Sequence, residues 1–194
     1  MVSSINVKPS LASIDTDPIR NFKFNVVATG GPFTTAINYG FMTVDGISTT
    51  IDVIPYREGG MNTTTQNMPG QATFNPITFS TGVKYGTSPG MNNTGTTDVD
   101  WMEHLFSVMQ GGFTAGVDFR AKYVDIEVLD HPVTSGSSAV KCAIRLYNAW
   151  PTALAYSTLD AGANQVMIEQ LTLVYEGFDV KVAAGKGSAA VDFT

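Results

Sequence analysis

The stretch that decides the fold is Tyr56-Arg57-Glu58-Gly59-Gly60, a charged turn between two segments rich in β-forming residues. Ile47 to Tyr56 precedes the turn, and Met68 to Phe79 follows it after a polar arc. Alternation of apolar and polar side chains in the first segment is typical of a strand. The turn holds none of the Ser, Cys or His residues that catalytic turns carry. These residues predict a long β-ribbon whose tip, Arg57 to Asn67, projects from the body.

A second turn signal lies just before the ribbon. Asp45-Gly46 separates Tyr39 to Asp45 from Ile47 to Tyr56. Asp-Gly is a strong hairpin dipeptide, because both positions tolerate a positive φ. We therefore expect these two segments to pair with each other.

The helix expected from the sequence is Asp98 to Gln110, which Thr97 or Asp98 can cap and Gly111-Gly112 ends. Its apolar residues recur at helical spacing and form a wide stripe, which predicts that the helix lies on a sheet. The stripe consists of Val99, Trp101, Met102, Leu105, Phe106, Val108 and Met109.

The remaining pattern is that of strands. Further strands are expected at Ile19 to Ala28, Lys122 to Asp130, Val140 to Trp150 and Val166 to Glu176. If the two middle strands pair, outward Asp125 and Glu127 meet outward Lys141 and Arg145, while Cys142, Ile144 and Leu146 point inward. About seven or eight strands and one helix predict a mainly β fold, an antiparallel β-sandwich or barrel with one flanking α-helix.

The low content of charged residues indicates that much of the protein surface is covered by another molecule. Hydrophobic residues make up 43% of the chain and charged residues 14%, against roughly 25% charged residues in ordinary domains. Copies of the same chain would explain this, and so would the Thr/Ser/Asn surface of a secreted β-domain. Composition leaves both open.

The net charge and the cysteine content argue against several classes of protein and of site. The net charge of −6 argues against a nucleic-acid-binding protein, which needs a basic surface. Cys142 is the sole cysteine, so neither an intrachain disulfide nor a cysteine zinc site is expected. Met1 to Pro9 lacks an apolar core, and no run approaches the roughly 18 apolar residues of a membrane span. We expect no signal peptide, no membrane segment and folding in a cytoplasm.

No residue pattern predicts catalysis. His104 and His131 lie in separate elements without a ligand partner at suitable spacing. Asp125 and Glu127 share a strand face, where opposite basic residues explain them better than a catalytic cleft does. We therefore expect no enzyme, no catalytic residue, no cofactor and no metal site.

Six motifs, in order along the chain, resemble those of bacteriophage tail tube proteins. Asp17-Pro18-Ile19-Arg20-Asn21-Phe22-Lys23-Phe24 resembles the opening strand of that family. Gly40 to Gly46, followed by Thr50 to Gly60, resembles its first long ribbon with the Tyr-Arg-Glu-Gly-Gly tip. The return strand of the family reads Leu-Pro-Gly and then Ile-Thr-Leu, which are here Met68-Pro69-Gly70 and Ile77-Thr78-Phe79. Asn148-Ala149-Trp150-Pro151 and Val166 to Gly177 resemble the late hairpin. The resemblance runs from about residue 17 to residue 180.

The resemblance implies a structural subunit that forms hexameric rings, which stack into the tail tube through which double-stranded DNA passes without specific binding. It implies a virion tail location with assembly in the bacterial host cytoplasm. The implied partners are other copies, a baseplate or tail initiator, a tape measure protein, a tail terminator and a sheath. It divides the chain into an N-terminal arm (1–16), a tail tube domain (17–180) and a C-terminal tail (181–194). The expected ring-to-ring contact at the ribbon tip comprises Tyr56, Arg57, Glu58, Gly59, Gly60, Met61, Asn62, Gln66 and Asn67.

Two alternatives stay open at this point. The inner tube of a phage-derived contractile injection particle would share fold and assembly and differ in cargo. A carbohydrate-binding β-sandwich would need clustered exposed aromatic residues, whereas Trp101 falls in the expected helix and Trp150 beside a proline.

Overall fold

The structure is a computed structural model, which describes Ile19, residues 21–60, 63–83, 98–111, 118–129, 140–162 and 164–183, and Phe193. These ranges contain ten strands and one helix. The elements are β1 (Phe24–Gly30), β2 (Phe33–Tyr39), β3 (Thr43–Asp45), β4 (Thr49–Tyr56), β5 (Gln66–Phe74), β6 (Ile77–Gly82), α1 (Asp98–Met109), β7 (Ala121–Leu129), β8 (Val140–Tyr156), β9 (Ile168–Val174) and β10 (Gly177–Val182).

The strands form two sheets that share β8, plus a separate ribbon. The first sheet runs β2-β1-β7-β8, with β10 on the other side of β8. The second sheet runs β8-β9-β6-β3, and β4 and β5 pair only with each other among the described strands. Every pair is antiparallel. The predicted mainly β, antiparallel fold with one flanking helix is confirmed.

The core is built from the inward faces of both sheets and one face of α1. The first sheet contributes Val26, Val124 and Leu146, and the second contributes Phe79 and Leu171. From the helix, Trp101 packs edge-on against Phe33 with ring centroids 4.9 Å apart, and its indole nitrogen donates to the Phe119 carbonyl at 2.8 Å. Each large side chain is therefore fixed from several elements.

Strand β8 passes from one sheet to the other at a bend. Residues up to Ala149 pair with β7, and residues from Trp150 onward pair with β9. At the bend Asn148 has a φ of 52°, the left-handed region that asparagine tolerates better than most residues. The Asn148 amide donates to Glu176 at 2.7 Å, and Arg120 pairs with the other oxygen of Glu176 at 3.1 Å. The bend is thus held by side chains from its neighbours.

The hairpin predicted at Asp45-Gly46 is wrong. β3 pairs with β6, and β4 pairs with β5, so the dipeptide marks the place where the chain leaves the second sheet for the ribbon. Gly46 is still required there. Its φ is 97°, and a Cβ on it would lie 2.5 Å from the Pro76 carbonyl oxygen.

Three strand predictions need correction in extent or number. The first strand begins at Phe24 rather than Ile19, and Phe22 is exposed before it. No strand was predicted between Ala28 and Tyr39, but β2 lies there and pairs with β1. The strand expected to be the last is followed by β10, because the chain reverses at Tyr175-Glu176 and pairs with β8.

The buried face of α1 is narrower than predicted. Trp101 and Leu105 are buried and Val108 is half-buried, at spacings of four and three residues. Phe106 and Met109 are exposed, so the expectation that both pack on a sheet is wrong. The helix therefore packs on the body through Trp101 and Leu105, with β8 among its neighbours.

The predicted pairing of β7 with β8 is confirmed, with one error. Asp125 lies opposite Arg145, and their side chains form two hydrogen bonds of 2.7 Å. Lys141 was expected to point outward to solvent, but it is 7% exposed. It occupies the extra position of a β-bulge, because Val128 pairs with Cys142 and Leu129 with Val140.

Candidate assembly surfaces

The ribbon β4–β5 carries apolar side chains on both of its faces. Directly opposite residues in an antiparallel pair share a face. Ile51 and Val53 therefore lie on one face with their partners Ala72 and Pro69. Ile54 lies on the other face with Met68, followed by Tyr56. A two-stranded ribbon in water gains nothing from two apolar faces.

These faces are open to solvent in the isolated subunit. Ile51, Val53 and Ile54 are 57%, 62% and 50% exposed, and every residue of β4 is exposed. Single exposed apolar residues are ordinary on protein surfaces, but contiguous ones on a projecting element mark an interaction site. Both faces of the ribbon are therefore candidate interaction surfaces.

The base of the ribbon is fastened to the body by hydrogen bonds. The Asn75 amide nitrogen donates to the Ser48 carbonyl at 3.1 Å, and its side chain donates to the Ser48 hydroxyl at 2.7 Å. The buried Tyr175 hydroxyl also donates to the Ser48 carbonyl, at 3.3 Å. Burial raises the pKa of Tyr175, and the Ser48 hydrogen bond opposes that rise. A neutral donor therefore persists across the ordinary pH range.

Aromatic packing completes this base. Phe74, the last residue of β5, lies with its ring 5.7 Å from Tyr175 and 6.1 Å from Phe178. Separations of this size are typical of favourable aromatic pairs. The ribbon leaves the body as a stiffly anchored element rather than as a free loop.

A bulge in β5 adds twist to the ribbon. Ile51 pairs with Ala72 and Val53 with Pro69, so Gly70 and Gln71 together face the single residue Asp52. A Cβ at Gly70 would lie 3.0 Å from the Asp52 carbonyl oxygen. A glycine here lets the two backbones approach closely.

The structure places the predicted tip residues at the far end of the ribbon. Tyr56 and Gln66 form the last pair, Asn67 lies opposite Pro55, and Arg57 to Gly60 lie beyond them. All of these are exposed. Met61 and Asn62 lie outside the described residues. The tip is thus an exposed surface made mostly of polar and charged groups.

Apart from Tyr56, the residues of the apolar ribbon faces were not among the predicted site residues. A signal was present in the sequence, because Ile51, Val53, Ile54 and Pro55 do not alternate strictly with polar residues. Strands that are covered on both faces show such near-continuous apolar runs.

Two further exposed apolar pairs lie on the body. Phe106 and Met109 lie on the outer side of α1, and Leu159 and Val166 lie in the β8–β9 turn. The turn residues line a shallow depression of about 410 Å³ with Ser157, Thr158, Asp160, Ala161, Gln165 and Met167. Its lining offers no histidine or cysteine and one carboxylate, which is a poor set for catalysis.

The described residues offer little for metal binding or thiol catalysis. Among them, no group of three His, Cys, Asp or Glu side chains could hold a metal ion. His104 lies in α1, and His131 lies outside the described residues. Cys142 is half-buried, and burial raises the pKa of its thiol, which disfavours the reactive thiolate. Within the same described residues, no helix is long and apolar enough to cross a bilayer.

Comparisons with known proteins agree with this geometry. Residues 20–179 match the model of the T4-like virus tail tube protein gp19 family. Similar folds occur in the anti-feeding prophage baseplate (TM-score 0.65, 21% identity, 86% of this chain and 97% of that chain) and cap (0.62, 22%, 86% and 93%). The PVC sheath–tube complex of an extracellular contractile injection system is also similar (0.58, 22%, 86% and 93%). No curated protein matches the chain.

The family match covers most of the chain and includes β1, the whole ribbon, α1 and the late strands. The resemblance stated from the sequence motifs is therefore confirmed. The chain belongs to the T4-like virus tail tube protein family, gp19.

Proposed function

We propose that the chain is a structural, non-catalytic tube subunit, which closes into hexameric rings that stack into the tail tube. The observation that carries this proposal is the ribbon, whose two apolar faces are both exposed in the isolated subunit. One covering neighbour would bury one face only. Stacked rings bring neighbours to both sides of a projecting element, so both faces become buried.

Sheet edges support the same assembly. Among the described strands, β2 and β3 end the sheet path and β10 is paired on one side only. Unpaired edges favour pairing with other chains. Side-to-side contacts that close by rotation form a ring, and top-to-bottom contacts that do not close form a filament.

The ribbon tip is proposed as the ring-to-ring joint, with Tyr56, Arg57, Glu58, Gly59, Gly60, Met61, Asn62, Gln66 and Asn67 in contact. The tip is exposed where described, and its polar groups suit a hydrogen-bonded joint. Residues 17–180 would form the tube domain, with 1–16 and 181–194 as arms. A baseplate or initiator, a tape measure protein, a terminator and a sheath would be the partners in the virion tail, with assembly in the host cytoplasm.

The net charge of the subunit supports double-stranded DNA as the cargo. With a net charge of −6, the subunit can present an acidic or neutral channel wall, which repels phosphate over about one Debye length, roughly 8 Å at physiological salt. Double-stranded DNA would then pass without sticking, because few lysine–phosphate contacts form. A channel wall dominated by basic side chains in a reconstruction of the tube would contradict this.

An injection-particle tube that carries no DNA is the second candidate, favoured by the fold similarity to injection-system tubes. The contents of the channel distinguish the two. The carbohydrate-binding alternative is weaker, because Trp101 is buried in the core and the family assignment points to tail tubes.

Negative-stain electron microscopy of the purified chain at high concentration, over a range of salt, tests the proposal. We expect uniform hollow rings or tubes with six-fold end views. A seed of baseplate or tail lysate is added if the chain stays monomeric, since initiation then limits growth. A chain that remains monomeric after the seed is added would contradict the proposal.

Deletion of Gly59 to Gln66 tests the role of the tip. The deletion should leave folded subunits or single rings that do not elongate, with unchanged circular dichroism. Tubes of normal length from this variant would show that the joint lies elsewhere.

A further inference from the structure

The outer face of the first sheet carries a cluster of charged and aromatic side chains. Tyr123 and Asp125 lie on β7, Arg145 on β8, and Asp179 and Lys181 on β10. Arg145 is directly opposite both Asp125 and Asp179, so these side chains share the face that points away from the core.

Arg145 is held rigidly at the centre of this cluster. Its Nε and Nη2 each donate to one oxygen of Asp125 at 2.7 Å. The guanidinium carbon lies 4.4 Å from the centre of the Tyr123 ring. Arg145 and Asp125 are 15% and 16% exposed, so the ion pair is well shielded. One face of the guanidinium and the Nη1 nitrogen remain available.

Phe193, near the end of the chain, occupies that available side. Its ring centre lies 4.5 Å from the Arg145 guanidinium carbon and 4.6 Å from the Lys181 amine. Nη1 of Arg145 donates to the Phe193 carbonyl at 3.0 Å. Both the aromatic ring and the main chain of Phe193 are contacted, and the two cation–π contacts require an aromatic side chain at this position.

The sequence before Phe193 fits a connecting segment in which Phe193 is the single aromatic contact residue. From Asp179 to Thr194, Phe193 is the only aromatic residue. The chain leaves β10 at Ala183, whose amide donates to the Lys141 carbonyl at 2.8 Å. Ten residues farther on it meets the cluster again, within the roughly 33 Å that ten extended residues can span.

We propose that Tyr123, Arg145 and Lys181 form a binding site for the C-terminal segment of the same chain, with Phe193 as its anchor. The site keeps this segment on the outer face of its own subunit. The residues after β10 then form a tethered arm rather than a free tail, and their attachment needs no second copy of the chain.

Nuclear magnetic resonance of the full chain labelled with ¹⁵N-arginine tests the contact directly. Phe193→Leu removes the ring and keeps an apolar side chain. We expect the Arg145 Nε–Hε signal to move, because the ring current is lost, while signals of Arg20, Arg57 and Arg120 stay. Phe106→Leu, an exposed phenylalanine on α1, is the control and should leave the Arg145 signal in place. An unchanged Arg145 signal in Phe193→Leu would overturn the proposal.

Carboxypeptidase digestion tests anchoring with an unaltered C-terminus. Tyr123→Leu removes one side of the site, and we expect Phe193 to be released several-fold faster than from the unmodified chain. Tyr123→Phe keeps the ring and should behave like the unmodified chain, which separates loss of the site from loss of folding. Equal release rates for all three chains would contradict the proposal.

A mixing experiment separates attachment within one chain from exchange between copies. Labelled Phe193→Leu protein lacks the aromatic ring at the site, and unlabelled unmodified protein is added to it. Attachment within one chain predicts no change in the labelled Arg145 signal at any ratio. Restoration of the signal would show that the segment of a second copy fills the site, and would overturn the intramolecular proposal.

Discussion

The ribbon β4–β5 and the strand pair β7–β8 are both antiparallel ladders, yet their faces differ. On β7–β8 the inner face holds Val124 and Leu146 in the core, and the outer face holds the Asp125–Arg145 pair. On the ribbon both faces are apolar and exposed. The first pair buries its inner apolar face within the subunit, whereas the ribbon leaves apolar side chains exposed. Apolar content alone therefore does not define a core; the surfaces that cover it do.

The largest expected effect comes from charging the ribbon. Val53→Asp alters one face and Ile54→Asp the other, and each should prevent tube formation. Burial of an unpaired carboxylate at a contact costs about 3 kcal/mol or more, which raises the concentration needed for assembly roughly 100-fold. Sedimentation and electron microscopy measure this, with Val53→Thr and Ile54→Thr as milder controls. If just one of the two Asp variants assembles normally, just one face is covered.

The next effect separates the two regions by stability of the isolated subunit. Leu146→Ala empties a fully buried position and should cost about 2–5 kcal/mol in the free energy of unfolding. Ile54→Ala, on the exposed ribbon, should change it by no more than about 0.5 kcal/mol. Urea denaturation of monomers measures both. A similar cost for Ile54→Ala would mean that the ribbon is packed within its own subunit.

Two ion pairs test the same comparison, with smaller expected changes in the free energy of unfolding. Asp125→Asn leaves the shielded Arg145 without its charge partner and should cost about 1–3 kcal/mol. Glu176→Gln weakens the Arg120–Glu176 pair, whose side chains are 40% and 51% exposed, and should cost about 0–1 kcal/mol. Denaturation at low and high salt checks the order, which would be reversed if the outer face of β7–β8 were freely hydrated.

The smallest expected effect depends on pH. Glu169 on β9 is buried, and burial raises its pKa above the usual value, against a hydrogen bond from Tyr156 that lowers it. Its contribution to stability is therefore fully present below the unfolded pKa of about 4.3 and is lost as the pH rises through the folded pKa.

Glu169→Gln carries a side chain that does not ionise, so the variant does not lose this stability as the pH rises. The free energy of unfolding of the variant should exceed that of the unmodified chain at pH 7, and the difference should shrink as the pH falls toward 4. Glu103→Gln, an exposed glutamate on α1, controls for the loss of one negative charge. A difference that grows on acidification would contradict the sign.

Elements that are marked by short-range sequence patterns could be predicted from the sequence. The ribbon, α1 and the β7–β8 pair were found, because turn dipeptides, helical spacing and alternation act over a few residues. The strand β10 was missed, since Gly177 resembles a strand end and nothing local shows that the chain reverses there. Its pairing with β8 depends on a strand about 35 residues away.

The errors at Asp45-Gly46 and Lys141 have the same origin. A glycine with positive φ is needed at Gly46, but which strands it separates depends on the partners β6 and β5. Burial of Lys141 depends on a bulge that interrupts alternation in β8. The tip residues were named from the resemblance, and the apolar ribbon faces became clear once the register of β4 and β5 was known.

The continuity of β8 has a mechanical consequence. Residues 140–156 form one covalent strand that is a member of both sheets. A pull applied to one sheet reaches the other through peptide bonds, whereas sheets joined only by packed side chains can slide. Because Asn148 sets the angle at the bend and Glu176 holds Asn148, tension applied to one sheet of the subunit would reach the other without shearing the core.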